Sequence, residues 1–140
     1  MPRPCWGSFW ASSSGVAHRP IFGTLKGVKK PLACVFYRTE AGNEPVREWL
    51  RGLPDDVCTQ IGQDIGAAQW RWPEVRKPLV DSFGDGLFEV RTQVAGNVYR
   101  VFFFVEGNTM GLVHGLMKKA KKTPPSDLAL ARKRKKEMQS

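Results

Sequence analysis

Val46, Trp49, Leu50 and Leu53 recur at i, i+3, i+4 and i+7, the spacing of one apolar helix face. Asn43-Glu44-Pro45 stands just before them, and a capping Asn followed by an early Pro predicts a helix start. Pro54-Asp55-Asp56 restarts the pattern, with Val57, Ile61, Ile65 and Ala68 along one side until Trp70-Arg71-Trp72-Pro73 ends it. Ahead of both helices, Cys34-Val35-Phe36-Tyr37 reads as a short strand.

Beyond Pro73 the period changes from helical to alternating. Lys77–Val80 predicts a short strand, Ser82–Gly86 a turn, Leu87–Val94 and Val98–Val105 two longer strands, and Thr109–Met117 a last one. Gly-Asn, a two-residue hairpin signal, occurs at Gly96-Asn97 and again at Gly107-Asn108. After Thr123-Pro124-Pro125, Ser126 is the expected cap of a final helix through Leu128, Ala131 and Lys135. The order β-α-α-β-β-β-β-α predicts an α+β fold. In it two N-terminal helices pack on a small twisted antiparallel sheet, and a C-terminal helix follows.

Taking Gly96-Asn97 as the loop of the hairpin places Glu89, Arg91, Gln93, Arg100, Phe102 and Phe104 on one face. Phe88, Val90, Val94, Tyr99, Val101 and Phe103 fall on the other, which must meet the helices. Arg91 and Arg100 then become diagonal neighbours, roughly 7–8 Å apart. Two such guanidinium groups suit the oxygens of one phosphate, or else Arg91 pairs with Glu89 while Arg100 stacks on Phe102. Substituting Arg100 by Ala should therefore abolish function and leave the fold intact. His114 is the natural candidate for moving a proton, although the second hairpin puts it opposite Val101 on the apolar face. In that register Gly111 and Gly115 lie on the arginine face and leave a shallow groove beside Arg100.

Charge narrows the partners. Residues 1–31 hold five basic groups and no acid, residues 117–140 nine basic groups and two acids, and the centre eight basic groups against eleven acids. Positive ends on a slightly acidic centre favour a polyanion, nucleic acid before membrane surface. The 140 residues suffice for one domain, expected over 32–140. Residues 1–31, rich in Pro, Gly and Ser, read as an irregular or disordered leader. Three cysteines without Cys-x-x-Cys spacing argue against a disulfide framework or a zinc site and fit the cytoplasm. No apolar run is long enough to span a membrane.

Gly86-Leu87-Phe88-Glu89-Val90-Arg91, Tyr99-Arg100-Val101-Phe102-Phe103-Phe104, Leu112–Lys119 and Lys122-Thr123-Pro124 resemble the phage-derived, HigB-like branch of the RelE/ParE toxin superfamily. The likeness runs over about residues 32–138. It implies a toxin of a type II toxin–antitoxin system with a RelE-like fold, a ribosome-dependent endoribonuclease that cuts mRNA with no metal or other cofactor. The partners it implies are an antitoxin, often a helix-turn-helix protein, the ribosome and mRNA. By the family pattern Arg91 and Arg100 would contact the scissile phosphate, and Lys118 or Lys119 would stand where relatives carry a basic proton donor. Such relatives often carry a functional tyrosine near the C-terminus, and this chain has none after Tyr99. Lys121, Lys122, Arg132 and Lys133 suit a nonspecific grip on RNA. A ParE-like toxin that binds DNA gyrase without cutting anything is the alternative, as is an inactive nucleic-acid-binding module.

Overall fold

The computed structural model describes residues 31–118 and 124–139, with Lys118 described by its backbone only. The expected leader, apart from residue 31, and Lys119, Lys121 and Lys122 lie outside the described residues. Ala33–Phe36 is β1, Pro45–Arg51 is α1 and Asp55–Arg71 is α2. Val80–Gly84, Leu87–Val94, Asn97–Glu106 and Thr109–Lys118 are β2 to β5, and Pro125–Gln139 is α3. The chain is α+β, in the predicted order of elements.

One expectation about the sheet fails. Its five strands run β1-β5-β4-β3-β2, and β1 lies parallel to β5, so the sheet is mixed rather than antiparallel. A parallel pair needs a long crossover, and here α1, α2 and three strands supply it. Local patterns carry no trace of such a partner.

Several boundaries moved for identifiable reasons. Glu44, not Asn43, is the N-cap of α1, and it makes no side-chain cap. Asn43 is held in a turn instead, its N–H donating to Thr39 Oγ1 and its carbonyl accepting from Thr39 N. β2 begins only at Val80, after Pro78, which has no N–H to give a ladder. It then continues to Gly84, and the turn shrinks to Asp85 and Gly86, both at positive φ. α3 begins at Pro125, so Ser126 lies inside its first turn rather than capping it.

Two cores back the sheet. Under α1 and α2, Val46, Leu50, Ile61, Ile65 and Ala68 meet Val90, Tyr99, Val101 and Phe103. Trp72 closes this core with its ring edge-on to Phe88 at 4.9 Å and to Phe103 at 5.8 Å. Under α3 lies a smaller cluster of Tyr37, Leu87, Phe102, Phe104, Val113, Leu116 and Ala131. Cys34 is a free thiol.

Candidate active site

The loop between β3 and β4 has two residues, but they are Ala95 and Gly96, at φ 52° and 84°. Val94 therefore faces Asn97, and Arg91 sits directly opposite Arg100 rather than diagonal to it. This register sets Phe88 against Phe103 with their rings stacked at 5.6 Å, and such aromatic cross-strand pairs favour it. The shift changes the pair sum by two residues and so preserves every face assignment. Glu89, Arg91 and Arg100 share one face, as the alternation predicted.

That face is not an open clamp. Arg100 is 3% exposed and Glu89 is buried, with Arg100 Nη1 3.7 Å from Glu89 Oε1. Arg91 Nε stands 3.7 Å from Glu89 Oε2, and its side chain is 32% exposed. Burial raises the pKa of Glu89, while the guanidinium groups of Arg100 and Arg91 pull it back down and Asp81 adds a smaller upward push. A carboxylate thus separates two cations that would otherwise repel. Arg91 is the open cation of the pair, and Arg100 is sealed against its counter-ion.

The second hairpin departs further from expectation. A bulge between Phe102 and Phe103 shifts the β4–β5 register, so His114 pairs with Phe102 rather than Val101. An extra residue reverses the alternation beyond it. His114 therefore lies on the arginine face, diagonal to Arg100, its ring 5.7 Å from that of Phe102. Gly115 moves to the opposite face, where a Cβ would meet the Trp49 ring at 2.5 Å. Gly111 stays on the arginine face, but Phe104 and Met138 fill the space above it. The expected groove beside Arg100 is occupied.

His114 Nε2 lies 2.8 Å from Asp127 Oδ1, in the first turn of α3, and the imidazole is 14% exposed. A carboxylate on one ring nitrogen fixes orientation and leaves the other for chemistry. The reading of the sequence missed Asp127. It stands thirteen residues from His114, with no spacing rule to join them. Lys118 takes a register position opposite Val98, in the row of His114 and Leu116. Among the described residues, no group of three or more His, Cys, Asp or Glu could hold a metal ion.

α3 lies over this face. Arg134 Nη1 donates to Val113 O at 3.0 Å and its guanidinium stacks on Tyr37 at 5.0 Å. The Tyr37 hydroxyl donates to Glu137 Oε1. Arg132 Nη2 donates to Phe83 O at 3.2 Å, while Lys133 is exposed. The basic helix is thus tethered by some of its cations and displays the others.

Residues 48–136, from α1 into the last turns of α3, match the family model of phage-derived Gp49-like proteins (DUF891). The chain belongs to the Gp49-like family. This is a toxin-like family related to the RelE/HigB superfamily, and the match takes in both arginine strands, the bulged strand and the basic helix. No curated protein matches the Gp49-like chain. Among its described residues no helix is long and apolar enough to cross a membrane.

Proposed function

We propose that the chain is the toxin of a type II toxin–antitoxin system and cleaves mRNA on the ribosome, with the RNA 2′-hydroxyl as nucleophile. The observation that carries this reading is the cross-strand pair Arg91–Arg100 on one face with His114, itself held by Asp127. RNA cleavage of this kind needs an aligned 2′-hydroxyl, a proton acceptor, a proton donor and cations for the phosphorane. Arg91, the open guanidinium, receives the scissile phosphate, and Arg100 positions it through Glu89. His114 takes the proton from the attacking 2′-oxygen at the nitrogen not bound to Asp127. As that oxygen bonds to phosphorus the 5′-oxygen departs, and Lys118 or Lys119 supplies its proton. Family membership supports the toxin role, with an antitoxin as its cytoplasmic partner.

The chemistry predicts a 2′,3′-cyclic phosphate on one product and a 5′-hydroxyl on the other. Induced expression with mapping of mRNA ends, repeated with purified ribosomes, tests both cleavage and ribosome dependence. His114→Ala should slow cleavage by about 10²–10⁴-fold. Growth arrest with intact transcripts and induced DNA damage would replace this reading with the ParE-like one.

A further inference from the structure

We infer that the groove between α3 and the β2–β3 turn is a second phosphate-binding subsite, one that grips the backbone of single-stranded RNA away from the arginine centre. The inference rests on the reading of this chain as acting on RNA and adds a binding surface to it. The groove encloses about 500 Å³ and is lined by Asp85, Ala129, Arg132, Lys133, Lys135 and Lys136. Ala129, Arg132, Lys133 and Lys136 fall at i, i+3, i+4 and i+7, one stripe of the helix, with the small Ala129 leaving room at its end.

The cations differ in what already holds them. Arg132 is engaged by Phe83 O and stands 3.8 Å from the Asp85 carboxylate. Lys135 Nζ lies 5.9 Å from the centre of the Phe104 ring and donates to Gln139 Oε1 at 3.1 Å. Lys133 and Lys136 are exposed and make no hydrogen bond or ion pair among the described residues. Four cations therefore face one carboxylate, Asp85, which is itself largely exposed. Unbalanced like charges along a helix face are unfavourable, and an external polyanion relieves them. Lysines bind phosphate as point charges with rotatable donors, a mode that fixes a backbone without reading bases. The groove's lining holds no aromatic side chain, so it suits phosphates held by charge and not bases held by stacking.

Position supports the same ligand. β3 leaves the turn beside the groove at Leu87 and reaches Arg91 four residues later, about 13 Å at the usual strand rise. α3 packs over β4 and β5 on this face and leaves Arg91 partly exposed, so one strand of RNA can lie along β3 beside the helix with phosphates at both places.

The test uses the full chain and a single-stranded oligoribonucleotide with every 2′-hydroxyl methylated. This probe cannot be cut, so binding is read whether or not the chain is a nuclease. Fluorescence anisotropy across a salt series gives the slope of log K against log salt concentration. Lys133→Ala with Lys136→Ala should lower that slope by about 1.4, at about 0.7 per phosphate contact on a single strand, with an unchanged Tm. Arg38→Ala with Lys77→Ala, which removes two exposed cations outside the groove, should leave the slope close to the parent. An unchanged slope in the groove variant, or an equal fall in the control, overturns the subsite. Groove-dependent binding of polyglutamate without groove-dependent binding of the oligonucleotide overturns it in favour of an acidic protein.

Discussion

The two faces of the sheet are built on opposite principles. Toward α1 and α2 the strands present Val90, Tyr99, Val101 and Phe103, and the buried polar group Thr92 is satisfied by Asp64 Oδ2 at 2.7 Å. Toward α3 the same two strands present Glu89, Arg91 and Arg100, and β5 adds His114, beside a smaller apolar cluster. The first face buries apolar area, which drives folding in proportion to that area. The second buries a charge pair, whose desolvation cost can exceed its mutual attraction. A sheet that takes its stability from one face can keep the other polar enough for chemistry.

Arg100 and Arg91 give the largest test of that contrast. Arg100→Met leaves Glu89 buried without its buried counter-ion, and breaking such a pair costs about 3–5 kcal/mol. Urea denaturation should show that loss. The burial of Arg100 thus reverses the sequence-based expectation that its removal spares the fold. Arg91→Ala, at a partly exposed position, should cost no more than about 1 kcal/mol and still abolish cleavage. Equal stability losses for the two variants would show that the arginine face is uniformly solvated.

Glycines on the two faces of β5 make a finer comparison. In Gly115→Ala the new Cβ would sit 2.5 Å from Trp49 Cε3 and 2.6 Å from Cζ3, under α1. In Gly111→Ala it would meet Phe104 Cε1 at 2.5 Å and Met138 Cε at 3.2 Å, under the last turn of α3. Overpacking costs about 1–3 kcal/mol. Trp49 is a half-buried ring near the end of the seven-residue α1, so Gly115→Ala should fall in the lower part of that range. Phe104 is only 4% exposed and has little room to move aside, so Gly111→Ala should fall in the upper part. A reversed order of denaturation midpoints would make the Trp49 side the more rigid cover.

These positions also show where the sequence was legible. The helices and the arginine face were readable because periodicity survives an error of two in hairpin register, as Arg91 and Arg100 demonstrate. His114 and Gly115 were misplaced because one extra residue at the Phe102–Phe103 bulge reverses every face beyond it, and no local residue pattern announced that bulge. The parallel β1–β5 pair and the His114–Asp127 contact were hidden for a related reason. Both join segments through tertiary packing that spacing rules do not describe. The lysine run was legible as charge alone, and its division into tethered and displayed cations depends on what the sheet offers α3.

Glu89 allows the smallest and most specific test, because its titration belongs to the polar face alone. Burial raises its pKa in the fold despite Arg100 and Arg91, so the native protein holds this proton more tightly than the unfolded chain. Stability from that proton is fully present below the unfolded value, about 4.3 for Glu, and is lost as pH rises through the folded value. The parent should therefore lose stability on going from the ordinary carboxylate range toward neutrality relative to Glu89→Gln, whose amide cannot ionise. The readout is the difference between their Tm values across that window, which cancels the other carboxylates. The sign is decisive: a difference that grows in favour of the parent with rising pH would mean that the arginines outweigh burial. Glu89 would then be a conventional ion-pair partner, and the polar face would contribute to stability in its own right.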